Sequence, residues 1–279
     1  MRRFSRPEGL AVLATASLFL STAAKPVRAQ SGPSPLEIMA GARAVHRAFE
    51  YHDTAAGLNT LLSHKQPLGP SAFVQAFVFP SAFTSRAALS NLGLAASYEL
   101  AAPTRAVFGE NTAQESKLTT HASEFFLGLR GRLPLGPHEL GLVAGYGQQR
   151  YTLKGDESAP LVPDVTYEFA RVALDGSLRF EDWTIGVRVG TRIVADTGGL
   201  RRDWFPATKT KSIEAGLLLG YRVVPQWEVV CGLDLTRYAF DFNPIPANAD
   251  PRYVAGGASD QYLSGWLGAR FSLENSAQK

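Results

Sequence analysis

Trp183-Thr184-Ile185-Gly186-Val187-Arg188-Val189-Gly190-Thr191-Arg192-Ile193 decides how the chain folds. Trp183, Ile185, Val187, Val189 and Ile193 occupy one set of alternate positions, and Thr184, Gly186, Arg188, Gly190 and Arg192 the other. A period of two is that of a strand, whose successive side chains point to opposite faces. One face of this strand is apolar and the other carries arginines.

The same split recurs on either side. In Leu118 to Leu133, Phe125, Leu127 and Leu129 oppose Glu124, Gly128, Arg130 and Arg132; in Ala170 to Phe180, Val172, Leu174, Leu178 and Phe180 oppose Arg171, Asp175, Ser177 and Arg179. Ile213 to Val223 sets Ile213, Ala215, Leu217, Leu219 and Tyr221 against Glu214, Gly216, Gly220 and Arg222, and Trp227 to Leu235 sets Trp227, Val229, Cys231, Leu233 and Leu235 against Glu228, Gly232 and Asp234. Glu139 to Leu153 presents Leu140, Leu142, Ala144 and Tyr146 on one side, and Asn91 to Glu99 presents Leu92, Leu94, Ala96 and Tyr98. Leu36 to Tyr51 and Ala72 to Phe79 hold apolar residues on both faces, and Gln261 to Leu273 completes ten candidate strands. No run shows the helical period of 3.6, and no later segment reaches the roughly eighteen apolar residues of a membrane helix. The reading is all-β.

Residues Met1 to Arg6 are basic, Leu10 to Ala24 is almost uncharged, and Val27-Arg28-Ala29 supplies small residues at processing positions. Residues 1–29 therefore read as a cleaved secretory signal peptide, leaving 30–279 as a single domain. Arg2-Arg3 followed by Phe4-Ser5-Arg6 departs from the twin-arginine pattern, so general secretion is expected. Cys231 stands alone, which leaves no internal disulfide, and a formal charge of +3 without basic runs carries no nucleic-acid footprint.

Alternation also suits a soluble sandwich with its apolar faces inside. The connections favour a membrane barrel. Gaps near 52–71, 100–117, 154–163, 197–209 and 242–260 are long and polar or rich in Gly and Pro, whereas those near 80–89, 134–138, 181–182 and 224–226 are short. Transmembrane barrels carry long extracellular loops at one rim and short periplasmic turns at the other. The expected fold is an antiparallel transmembrane β-barrel of about ten strands, with an even number from eight to twelve allowed. Trp183, Trp227 and Phe180 border the short turns, and Tyr146, Tyr151, Tyr238 and Phe240 approach the long-loop rim, as interfacial girdles would require.

The last strand, Trp266-Leu-Gly268-Ala-Arg-Phe271-Ser-Leu273, resembles the C-terminal assembly signal of outer-membrane barrels. Gly268, Phe271 and Leu273 match its glycine and the hydrophobic residues three and five positions later, although Glu274 to Lys279 extends past them. The mature chain resembles the small outer-membrane barrels of Gram-negative bacteria. That resemblance implies an outer-membrane location after signal cleavage, surrounding membrane lipid, and recognition by the barrel-assembly machinery.

Charge cannot face lipid without a cost of about 2–4 kcal/mol for a midplane Arg or Lys. Arg43, Arg47, Glu124, Arg130, Arg132, Glu139, Arg171, Asp175, Arg179, Arg188, Arg192, Glu214, Arg222, Glu228, Asp234 and Arg270 are therefore assigned to the lumen. They are expected to plug it as Arg–carboxylate pairs, giving a structural or surface-interaction protein. A narrow channel whose arginine excess favours anions is the alternative. A rim hydrolase is a further one. Resemblance to outer-membrane proteases of ten strands would demand acidic residues and an Asp–His couple there, with His52, Asp53, Asp241, Asp250 and Asp260 as candidates. His46, His121 and His138 stand at unrelated positions for a Ser–His–acid site. Gly145-Tyr-Gly147 and Gly198-Gly199 open no helix and so make no phosphate loop. No cluster has metal-ligand spacing, and no cofactor is expected. The loops at Asn243 to Pro251 and Arg201 to Phe205 are the expected places for an extracellular partner.

Overall fold

A computed structural model describes residues 34–52, 61, 63–84, 88–108, 116–154, 164–243 and 255–273. The expected signal peptide, Asp53, Asp250, most of the 243–251 loop and the tail after Leu273 lie outside these residues. Eleven strands follow in order: β1 Leu36–His52, β2 His64–Val78, β3 Leu92–Ala101, β4 Thr104–Phe108, β5 Ser116–Leu135, β6 His138–Lys154, β7 Val165–Phe180, β8 Trp183–Gly198, β9 Lys209–Val224, β10 Trp227–Asp241 and β11 Gly257–Ser272. Each pairs antiparallel with its neighbours, and β1 pairs with both β2 and β11, which closes the sheet. β3 and β4 share one place in the wall between β2 and β5, so the barrel has ten strand positions. The break between them holds Pro103, which has no N–H to give the ladder. Closure leaves no backbone edge for lipid to meet.

Val187, Val189 and Ile193 are all more than half exposed, while Arg192 on the alternate face is buried. The greasy face is thus outside and the charged face inside, the reverse of a soluble sandwich. At the end bearing the short turns, the Trp183 and Tyr221 rings pack at a tilt with centroids 4.9 Å apart and those of Trp227 and Phe271 with centroids 5.2 Å apart, all on the outer wall. The expected girdle at the other rim needs correction: Tyr146 is outside, but Tyr151, Tyr238 and Phe240 are buried in the lumen. Parity decides this, because Tyr151 shares its face with Val143 and Tyr238 with Asp234.

Residues 136–137, 181–182 and 225–226 form tight turns, with Gly136 and Glu181 at positive φ of 65° and 50°. The connection read as a short turn near 80–89 is different. Its described residues include two short 3₁₀ helices, Pro80–Phe83 and Ala88–Asn91. Just before it Phe79 is fully buried, with the Arg132 guanidinium 3.5 Å from its ring centroid. Arg132 also donates to the carbonyls of Ser34 (2.7 Å) and Ser90 (3.1 Å), tying this segment to the barrel end. Toward the opposite rim the strands run past the apolar stretches: β2 starts at His64 and β11 at Gly257, ahead of the expected Ala72 and Gln261. Both faces turn polar or aromatic there, so alternation fades while backbone pairing continues.

Candidate functional site

All the charges assigned to the lumen lie on inward-facing positions. They form tiers because strands in register bring successive inward residues to common heights. Nearest the short turns, Arg130 reaches Glu139 (2.8 Å) and Asp175 (2.7 Å), and Arg270 pairs with Glu228. Arg179 and Arg222 face this end without an ion pair among the described residues.

The middle tier is a continuous network. Arg43 bridges Glu99 (2.5 Å) and Asp234 (3.0 Å); Arg188 reaches the other oxygen of Asp234 (2.7 Å). Arg171 and Arg192 share Glu214 at 2.7 and 3.1 Å, and Arg192 continues to Glu124 at 2.9 Å. A Cβ at Gly216 would lie 2.5 Å from Asp234 Oδ1, so a larger side chain there would have to push the carboxylate away from its arginines.

Above this tier, Arg47 holds Asp260 through two hydrogen bonds of 2.8 and 2.7 Å. Tyr167 and Tyr262 donate to the same carboxylate at 2.5 and 3.1 Å, His64 Nε2 lies 3.2 Å from Arg47 Nη1, and the Tyr151 ring centroid is 3.6 Å from the guanidinium carbon. The rim beyond is apolar. Phe49, Leu61, Leu200, Phe205, Phe240, Phe242 and Ala255 pack into one buried cluster, with Phe205 and Phe242 stacked at 3.8 Å and 5°. A one-turn π-helix, Leu200–Trp204, brings Leu200 and Phe205 inward, closed by the Phe205 N–H on the Leu200 carbonyl at 2.9 Å.

The described residues of the lumen enclose cavities that include two of about 130 Å³ each. One lies between the middle tier and the Arg47–Asp260 tier, bounded by Arg43, Tyr151 and Tyr262; the other lies toward the short turns, bounded by Phe77, Phe126 and Trp266. Gln75, Arg171, Arg188 and Asp234 line both. Each has room for a few waters.

The rim candidates do not meet as expected. Asp260 is no rim residue, since its carboxylate is buried and taken up by Arg47 and two tyrosines. His52 Nε2 lies 3.3 Å from Ser259 Oγ, and Asp241 Oδ1 accepts from the Asn243 N–H at 3.3 Å. His52 and Asp241 flank Gly257 in register across β1, β11 and β10. His46 and His121 face outward, and His138 Nδ1 accepts the Arg179 N–H at 3.2 Å. The 201–205 loop, expected to be an exposed partner site, is split: Arg201, Arg202 and Asp203 are exposed, while Phe205 is part of the buried cluster. Sequence reasoning passed over Glu99, Tyr167, Tyr262 and His64. Parity with Ser264 and Trp266 is the signal that would have drawn Asp260 and Tyr262 inside.

Neither protein-family patterns nor curated sequences match the chain. Solved structures do. The outer membrane protease OmpT from Escherichia coli superposes with a TM-score of 0.50 at 14% identity, over 87% of this chain and 98% of that one. The chain has the fold of Gram-negative outer-membrane β-barrels. The outer membrane protein OprG from Pseudomonas aeruginosa matches with a TM-score of 0.39 at 6% identity, over 88% of this chain and 99% of that one. An outer membrane channel from Pseudomonas putida F1 gives 0.42 at 12%, over 89% of this chain and all of that one (100%). At these identities the likeness carries the fold and leaves function to the geometry.

Proposed function

We propose that the chain is an integral outer-membrane protein whose lumen is closed, and which works through its outer wall and rim rather than by conducting solutes. The observation that carries this is the stack across the axis: the Phe205–Phe242 cluster over the fully buried Arg47–Asp260 pair, over the Arg–carboxylate tier. An anion channel would need arginines left available to a passing ion. Here Arg43, Arg47, Arg130, Arg171, Arg188, Arg192 and Arg270 all hold carboxylates, and Arg179 and Arg222, which have no ion pair among the described residues, sit at the short-turn end below this stack. In this reading residues 1–29 direct export, and the short turns face the periplasm. Gly268, Phe271 and Leu273 serve assembly. Gly268 accordingly packs against Ala40 and Gly41 of β1, and the Leu273 N–H closes on the Leu36 carbonyl at 2.9 Å. Liposomes loaded with small sugars and anions test the closure: the reconstituted barrel should release neither, and rapid efflux would refute it.

The Ser259–His52 contact favours a second reading, a hydrolytic site on the outer wall with Asp241 across Gly257 as the acid. Hydrogen-bonded nucleophile and base are the starting arrangement for acyl transfer. A fluorophosphonate probe should then label Ser259 and fail on His52→Ala; absence of labelling removes this reading.

A further inference from the structure

We infer that the outer wall of β4, β5 and β6 carries a docking site for the phosphate groups of an outer-leaflet glycolipid. The inference rests on the membrane placement proposed above. On this wall the outward side chains change in order along the strands. Leu92, Leu94, Leu127, Leu129, Leu140 and Leu142 form an apolar band. Tyr98, Phe125 and Tyr146 come next: Tyr98 faces Phe125 across β3 and β5, and the Phe125 and Tyr146 rings lie 6.2 Å apart. Amphipathic and aromatic rings mark the level where hydrocarbon gives way to headgroups.

Beyond that level the outward residues include Arg105, Thr119, His121, Arg150, Thr152 and Lys154. The register places Arg105 opposite Thr119, and Thr119 opposite Lys154, so the two cations flank one threonine. With strands about 4.8 Å apart, their backbones stand roughly 10 Å from each other. Arg150 faces Ser123 on the same wall, between the aromatic level and Lys154. Arg105, Arg150 and Lys154 are exposed and have no ion pair among the described residues, in contrast to the paired arginines inside. The described outward residues of β4, β5 and β6 at this level include no carboxylate, while beside them Asp164 Oδ1 accepts the Leu153 N–H at 3.0 Å and Glu168 on β7 accepts from Gln148 Nε2 at 3.2 Å.

Exposed cations grouped on a lipid-facing wall at headgroup depth complement a phosphorylated headgroup, because each is attracted to lipid phosphate while its stem lies along apolar surface. Two phosphates spaced across a sugar headgroup suit cations about 10 Å apart better than one phosphate does. The β9–β10 wall also has outward cations, Lys209, Lys211 and Arg237, but Asp241 stands opposite Lys209 in the register and dilutes the charge.

Native mass spectrometry of the full barrel in neutral detergent, with bis-phosphorylated lipid A as probe, tests the site. The triple variant R105Q/R150Q/K154Q should bind the lipid on the order of a hundredfold more weakly. The control triple K209Q/K211Q/R237Q should stay within a few-fold of the parent, and dephosphorylated lipid A should bind no variant well. Unchanged retention in the first triple, equal loss in both triples, or equal binding of dephosphorylated lipid would each overturn the site. Heat-modifiable gel mobility of every variant keeps failure of the barrel itself distinguishable from failure of the docking site.

Discussion

Arg47 and Asp260, both without solvent exposure, face each other inside the barrel through two hydrogen bonds of 2.8 and 2.7 Å. Tyr167 and Tyr262 donate to the same Asp260 carboxylate and His64 Nε2 lies beside Arg47 Nη1, so each member of the pair has further hydrogen-bond partners. A buried ion pair is tolerated when its remaining groups are satisfied, and removal of one partner strands the other.

Asp260→Leu should therefore cost about 3–5 kcal/mol, while the double change R47M/D260L recovers most of that loss. The midpoint of urea unfolding in detergent measures both. Equal stability of the single variant and the parent would show that the pair does not hold the lumen together.

Gly216→Val should be at least as damaging as many core truncations, because its side chain would enter the space between Asp234 and Arg188, where a Cβ already lies 2.5 Å from Asp234 Oδ1. We expect the folded gel band to melt at a lower temperature. The neighbouring Leu217→Val, on the opposite face, should leave that temperature nearly unchanged.

Leu217 is 57% exposed on the lipid side. Leu217→Arg should destabilise the barrel by about 2–4 kcal/mol if this wall meets hydrocarbon near the midplane. Refolding titrations into lipid vesicles read this directly, and a neutral result would place the residue outside the membrane.

Phe242→Ala removes half of the Phe205–Phe242 stack and should loosen the segment that delivers Phe205. Amide hydrogen exchange should rise in residues 199–208, with β5 to β7 unaffected. Exchange rising evenly through the barrel would instead mean that the aromatic cluster supports the whole wall.

The barrel was legible because lipid outside and charge inside impose strict alternation on Trp183 to Ile193 and its counterparts. That same alternation placed Arg171, Arg188, Arg192, Glu214 and Asp234 in one lumen, though not which carboxylate each arginine would hold. Pairings such as Arg192 with Glu124 depend on register and barrel curvature across several strands, which no local pattern records. Asp260, Tyr238 and Phe240 were harder. They lie beyond the apolar band, where both faces of a strand carry aromatic or polar groups and parity loses contrast. Phe205 and Leu200 lie inside for a reason sequence periodicity does not carry, the five-residue turn of the π-helix that rotates them inward.

Planar-bilayer recording of the purified barrel tests the closed lumen most directly. The parent protein should insert without stepwise conductance, and the combined variant F205A/F242A/R47A/D260A, which removes the aromatic cluster and the ion pair under it, should show brief openings. Regular conductance steps from the parent protein would contradict the closed-lumen reading.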